Sequence, residues 1–334
     1  MNAIPAEYLP VIFLGLMGLA MLLYTVLDGY DLGTGILMFS RSEPDRDRMI
    51  ASIGPFWDAN ETWLVLGVGI LLVAFPVAHG FILGTLYLPV TLMLAGLILR
   101  GVSFDFRAKA QAKHKNLWDF AFSAGSLLAT LTQGYMLGQY ITGFSTGLSA
   151  QLFAVLSALC VTSAYTLMGA TWLILKTTDS LQQHAIRVAQ RTVPLTALGL
   201  VAVSIVNPMV SPDIFQKWLS FPQFLLLAPL PLATAFVLYR LHRFLGRMST
   251  QVSQNEHMPF LMTISIFVLA FAGLAYSFFP MIVPGQLTVW QAASAPDALR
   301  IILWGVVFTL PAILGYTALS YYVFRGKSTA LTYT

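Results

Sequence analysis

Nine apolar stretches, each about as long as a bilayer core is thick, leave this chain few folds to choose from. They cover residues 9–39, 53–75, 77–99, 117–141, 151–175, 192–210, 222–239, 259–283 and 298–324. Hydrocarbon offers no water to backbone N–H and C=O groups, so a segment of about 20 apolar residues satisfies them internally as an α-helix. The pattern predicts an all-α integral membrane protein with nine transmembrane helices. Composition agrees: the chain is 57% hydrophobic and 10% charged, against about 25% charged residues in a soluble domain. The first stretch exceeds a bilayer core, so one end projects into the headgroups or the helix tilts. Residues 1–10 carry no Lys or Arg, so this stretch reads as a retained helix and not as a cleaved signal, which needs a basic leader.

Charge sets the expected orientation. Sixteen of the 18 Lys and Arg residues fall on the connections after the first, third, fifth, seventh and ninth stretches; only Lys217 and Arg300 fall on the other side. The positive-inside rule then places the N-terminus outside (periplasmic) and the C-terminus in the cytoplasm. The net charge of +4 therefore reads as a topology signal. No glycine-rich phosphate loop and no basic–aromatic patch suggests a nucleic-acid partner. The single cysteine, Cys160, excludes an internal disulfide, a thiolate metal cluster and a Cys-x-x-Cys-His haem attachment.

Small-residue pairs at four-residue spacing, Gly29/Gly33, Gly80/Gly84 and Gly134/Gly138, predict close helix packing. Pro89, Pro229, Pro231 and Pro311 fall inside expected spans and predict kinks.

Four acids mark the candidate site. Asp28 and Asp31 lie toward the cytoplasmic end of the first stretch, and Asp58 and Glu61 at the start of the second, within Trp57-Asp-Ala-Asn-Glu-Thr-Trp63. Ionisable groups at membrane depth cost about 2.5–3.5 kcal/mol each on insertion scales and are usually functional. Residues three apart share a helix face, so two adjacent helices can aim four carboxylates at one cytoplasmic-side pocket, a proton path. The structural alternatives are that Asp58 or Glu61 complements a helix dipole, and that Asp28 or Asp31 pairs with Arg100 or another loop base. Trp57 reads as an interfacial residue; Trp63 lies two turns deeper. Arg100, Asp105 and Arg107 close the third stretch and read as a snorkelling basic edge or a local ion-pair cluster. Of five histidines only His79 falls at membrane depth, and no two share a metal-binding spacing on one helix.

Asp28-Gly-Tyr-Asp-Leu-Gly33, the Ser52–Leu64 motif, Arg100 through Arg107 and Leu117-Trp-Asp119 resemble subunit II of cytochrome bd-type quinol oxidases, most closely the cyanide-insensitive branch. The motif similarity covers about the first 120 residues; the remainder is similar in span count and loop basicity. The resemblance implies two four-helix bundles, 9–141 and 151–283, plus a ninth helix, 298–324, in the bacterial inner membrane. It implies an obligate partner, subunit I, that carries two haems b and haem d and oxidises quinol, with small single-helix accessory subunits in some relatives. Subunit II itself binds no haem or metal, contacts lipid and quinone, and helps admit protons and oxygen. By resemblance Asp31 and Asp58, with Trp57 beside them, belong to the proton path; Asp28 and Glu61 are secondary members, and Glu61 stands where relatives carry glutamine. Trp63 matches the mouth of an oxygen route, and Arg100 belongs to the motif without an assigned role. Two other readings stay open on the residues alone: a proton-coupled secondary transporter, and a scaffold whose acids serve assembly.

Overall fold

In a computed structural model, residues 4–210, 212–221, 223–249 and 255–328 are described. The chain is almost wholly helical. The helices are α1 Leu9–Leu37, α2 Glu43–Ile53, α3 Trp57–Ala74, α4 Pro76–Thr85, α5 Tyr87–Lys109, α6 Ala112–Ile141, α7 Leu148–Lys176, α8 Asp179–Val210, α9 Pro212–Leu219, α10 Gln223–Leu227, α11 Pro229–Met248, α12 Met258–Phe278, α13 Val289–Ala292 and α14 Pro296–Val323. A two-stranded antiparallel hairpin, β1 Met281–Val283 and β2 Leu287–Thr288, lies between α12 and α13.

Seven helical segments are long and apolar enough to cross a membrane, those built on α1, α3, α5, α7, α8, α12 and α14. Helices α6 and α11, where the fourth and seventh spans were expected, do not meet the same combination of length and hydropathy. The start of the expected seventh span, Pro222, and both chain termini lie outside the described residues.

The expected third span, 77–99, is corrected. The helix breaks at Leu86, and the apolar crossing segment is α5, ten residues further on. Pro89 sits in the first turn of α5, where a proline costs no hydrogen bond. Pro229 and Pro231 likewise open α11 and do not kink it; Pro311 is interior to α14. Helices α6, α8 and α11 reach further into the basic connections than hydropathy suggested, so His114, His184 and His242 are helical and not in loops.

Packing runs from α5 onto α6, α6 onto α7 and α7 onto α8, while α1 lies against α3, α6 and α7, and α11 against α12. Glycine fixes two of these approaches. A Cβ on Gly33 of α1 would stand 1.8 Å from the Tyr165 carbonyl oxygen of α7, and one on Gly169 would stand 2.4 Å from the Gly33 carbonyl carbon. Between α5 and α6, a Cβ on Gly125 would lie 2.5 Å from Gly96 O and 3.0 Å from the backbone nitrogen of Arg100. Such contacts are possible only where backbones meet without side chains between them. Gly134 and Gly138 press on α7 as expected, but Gly80 and Gly84 face open space, so that pair does not pack within this chain.

The two ends of the molecule are held differently. At the end where α1 begins, Leu9, Phe13, Ile70, Ala74, Phe75, Phe144, Ile282, Val283 and Val289 form one apolar cluster. Segment 279–294 docks on it: the Trp290 indole N–H donates to Glu7 O, Ser294 N to Ala74 O and Tyr140 Oη to Ile282 O. At the opposite, basic end the clamp is ionic. Buried Arg107 pairs with buried Asp119 and, at 2.6 Å, with Asp47; Arg46 lies 3.3 Å from Asp119; Lys115 reaches Asp47 and Glu43. Bases counted as topology signals thus also tie α2 to α5 and α6. Burial acts to raise the Asp47 carboxyl, but hydrogen bonds from Arg107 and Lys115 outweigh it and hold the group below the ordinary aspartate range.

Two outcomes follow from these contacts. Gly33→Ala should destabilise the α1–α7 contact by about 1–3 kcal/mol, the usual cost of overpacking, read as a lower unfolding temperature of the purified protein. Because the Asp47 carboxyl is depressed in the fold, its bridge contributes fully above the unfolded aspartate value and fades as pH falls through the folded one. Asp47→Asn should therefore lower stability most at neutral pH, where the bridge is complete, and least in acid, where the wild type has already lost it, so the acid limb of the stability-versus-pH curve flattens.

Candidate functional site

The interior of a membrane protein tolerates a charge only beside a countercharge, and here four ionisable groups supply both. Helix α1 presents Asp28 and Asp31 three residues apart, both fully buried. Helix α5 presents Arg100, also fully buried, one turn from Gly96 and so on the face pressed against α6. Arg100 Nη2 stands 2.7 Å from Asp28 Oδ1 and 3.9 Å from Asp31 Oδ2. Its Nη1 stands 3.9 Å from Glu61 Oε2, on a half-buried side chain of α3. Both Asp28 oxygens, Asp31 Oδ1 and the three guanidinium nitrogens have no aligned hydrogen-bond partner among the described residues. Facing donors and acceptors of this kind are what buried water bridges.

The snorkelling reading of Arg100 is thereby corrected. Because the crossing helix is α5 and not 77–99, Arg100 lies inside the bundle and not at its edge. Arg107 is buried as well, within the α2–α5–α6 clamp, and Asp105 is exposed and joins neither arginine in an ion pair. The alternative that an aspartate of the first stretch pairs with Arg100 is what the structure contains.

Asp58 lies one turn before Glu61, on an exposed face of α3. It stands outside the buried cluster, and the expectation that all four acids line one pocket holds for Asp28, Asp31 and Glu61 only. Trp57 is half-buried; its ring centroid is 5.9 Å from the Arg100 guanidinium carbon and 4.8 Å from the Phe104 ring. Stacking on a desolvated cation is a more specific role than the interfacial one expected. Trp63 is buried with Tyr24, Leu32, Leu64, Met93, Leu97, Ala129 and Tyr165 in an apolar layer.

Residues assigned no role from sequence complete the site. The Asn60 amide nitrogen donates to Asp31 Oδ2 at 2.8 Å, to the Tyr30 hydroxyl at 2.8 Å and to Leu27 O at 3.3 Å. Tyr321 Oη donates to Asn60 Oδ1 at 3.2 Å and lies 2.5 Å from the Tyr30 hydroxyl. On the other side of α1, Gln133 donates to Tyr24 Oη at 2.6 Å and accepts from Tyr165 Oη at 2.9 Å. The signal for Asn60 was present: it lies two residues after Asp58, one before Glu61, and is a polar residue in an otherwise apolar helix. Tyr321 gave no signal, being 290 positions from Asp31 in a stretch of aromatic residues.

Chemically, three carboxylates face one guanidinium. One negative charge is neutralised by Arg100, and the excess carboxylates can take up or give up protons without leaving the cation unpaired. Among the described residues no group of three or more His, Cys, Asp or Glu side chains is placed to hold a metal ion.

Comparison with known proteins places the chain in a family. A family model described as cytochrome bd terminal oxidase subunit II matches residues 9–324. The chain is 28% identical to the cytochrome bd-I ubiquinol oxidase subunit 2 of Escherichia coli strain K12, over 97% of this chain and 96% of that one. It is 27% identical to the cytochrome bd ubiquinol oxidase subunit 2 of Bacillus subtilis strain 168, over 90% and 91% of the two chains. A chain of the bd oxidase structure from Geobacillus thermodenitrificans shares the fold with a TM-score of 0.76 and 16% identity, over 94% of this chain and 98% of that one. The chain is a multi-pass membrane protein that belongs to the cytochrome bd terminal oxidase subunit II family, and as such it is a subunit of a quinol oxidase complex, an oxidoreductase.

Proposed function

We propose that this chain is the haem-free half of its oxidase and that its buried acids deliver cytoplasmic protons to a haem-bearing partner, subunit I. The partner would hold two haems b and haem d, oxidise quinol and reduce oxygen to water. Oxygen reduction consumes protons. Drawing them from the cytoplasm while quinol releases its own on the outside builds a membrane potential without pumping. The proposed setting is the bacterial inner membrane, with eight spans in two four-helix bundles (9–141 and 151–283) and a ninth helix (298–324), the N-terminus outside and the basic end inside.

The observation that carries this reading is the graded exposure of the acids from α3 to α1. Asp58 is exposed, Glu61 is half-buried, and Asp28 and Asp31 are sealed beside Arg100. In the proposed path a proton enters at Asp58 and passes to Glu61, one turn deeper on the same face of α3. It then reaches Asp28 and Asp31, with buried water bridging the gaps. Arg100 holds the carboxylates in place, and Trp57 shields the guanidinium on one side. Trp63 is proposed to border oxygen entry, since a mostly apolar recess, lined by six Leu, Ile and Val side chains and Thr309, includes Leu66, one turn from Trp63. Oxygen is apolar and needs no polar machinery there. Membership in the oxidase family disfavours the transporter reading.

Asp31→Asn and Asp58→Asn should each slow quinol-driven oxygen consumption by about 100-fold or more, the scale of losing a proton-transfer group. The haem spectrum of the purified complex should persist. Full oxygen consumption and membrane potential in either variant would remove that residue from the path. Loss of haem and of the complex together would favour the scaffold role for the acids.

A further inference from the structure

The hydrogen bonds around Asp31 do not stay within the helices that carry the acids. They cross to α14, through a tyrosine that nothing in the motif assigns. A carboxylate oxygen accepts and cannot donate, so the Asn60 atom 2.8 Å from Asp31 Oδ2 must be the amide nitrogen. That leaves Asn60 Oδ1 pointing away, where Tyr321 Oη donates to it. Having spent its proton there, Tyr321 must accept from Tyr30, whose hydroxyl lies 2.5 Å away and itself accepts from Asn60. The three side chains form a closed ring in which Asn60 donates to Tyr30, Tyr30 to Tyr321 and Tyr321 back to Asn60. Only one amide orientation fits it, and that orientation aims an N–H at Asp31.

Tyr321 is itself held by its surroundings. Its ring stacks on Phe56 at 4.5 Å. Two residues later α14 ends, and the following tail is strapped to the bundle: Lys176 Nζ donates to Phe324 O and Gly326 O, Ser328 N donates to Lys176 O, and Lys327 pairs with Glu256. The strap fixes the height of Tyr321 against α1 and α3.

We propose that Tyr321 is a positioning residue for Asp31: acting through Asn60, it fixes the direction of the hydrogen bond that the proton-carrying carboxylate receives. The proposal rests on the proton-path reading of Asp31. The charged and titratable groups facing Asp31 are Asp28 and Tyr30 from α1, Glu61 from α3, Arg100 from α5 and Tyr321 from α14. Of these, Tyr321 alone comes from α14, and it is the one that donates to the Asn60 carbonyl oxygen.

The test uses the whole oxidase complex with Tyr321→Phe, which removes the hydroxyl and keeps the stacked ring. Quinol-driven kcat should fall about fivefold, the factor that one hydrogen bond of ordinary strength represents, with the KM for quinol and the haem spectrum unchanged. The infrared carboxyl band that disappears in Asp31→Asn should shift in frequency in Tyr321→Phe, because its hydrogen-bond donor has lost its orientation. 3-Fluorotyrosine installed at position 321 keeps the ring and the hydroxyl but makes the phenol a stronger donor to Asn60, and should shift the same band, which keeps the question decidable if Tyr321→Phe does not assemble. An unmoved band with unchanged kcat in Tyr321→Phe, or an unmoved band in the fluorotyrosine protein where it stands in, overturns the proposal. Normal turnover in Asp31→Asn would overturn the proton path itself, so the two failures are distinguishable.

Discussion

One buried ion contact, Arg100 with Asp28 and Asp31, constrains much of the rest. Removing one partner from such a group typically costs about 3–5 kcal/mol, because it strands the other charge in a low-dielectric interior. The helices carrying the charges must therefore approach closely and stay in register. Glycine supplies the approach: Gly96 and Gly125 let α5 lie directly on α6 at the level of the Arg100 backbone, and Gly33, two residues from Asp31, with Gly169 lets α1 lie on α7. The small residues and the charges belong to one design. Without the contact the charges would be too far apart to compensate one another, and without the charges such bare backbone packing would place no chemistry in the membrane.

The chain contains a second ionic cluster, and the two differ in their balance of charge. Around Arg107 the bases Arg46, Arg107 and Lys115 face the acids Asp119, Asp47 and Glu43, so the formal charges cancel. Adding a proton there breaks a bridge and loosens α2. Around Arg100, three carboxylates share one cation, and added protons relieve repulsion without unpairing the arginine. A balanced cluster resists protonation, while an acid-rich one accommodates it. Burial alone does not distinguish them, since Arg107 and Asp119 are as inaccessible as Arg100 and Asp28.

The sequence was most legible where one residue type has one physical meaning. Uninterrupted apolar runs marked the helices, and acids within them marked the site, because neither has a common alternative in lipid. Legibility failed where two effects compete. Hydropathy ended the third span at Arg100 because arginine scores as a terminator; nothing local says that a carboxylate of α1 will neutralise it and let the helix run to Lys109. The four acids looked equivalent by spacing, yet Asp58 is exposed and Glu61 half-buried, because the rotation of α3 about its axis is set by packing on α1 and not by periodicity. Tyr30 and Tyr321 were invisible, since aromatic residues are common in membrane helices and pairing between α1 and α14 leaves no local mark.

The last helix shows how these constraints combine. Of the seven apolar crossing segments, α14 keeps the smallest share of its most apolar window inside the chain, 11% against 22–44% for the others. Area burial alone anchors it weakly, so its position must come from its ends. The first end packs Leu299 and Leu303 into the apolar cluster shared with α1, α3 and the hairpin segment. The second end uses hydrogen bonds: Tyr321 to Tyr30 and Asn60, the buried Lys176 to the tail carbonyls, and Lys327 to Glu256. Apolar contact tolerates sliding, whereas a donor–acceptor pair fixes distance and direction. The directional anchor stands beside the acids, where it fixes the distance and direction of the hydrogen bonds that reach Asp31 through Asn60.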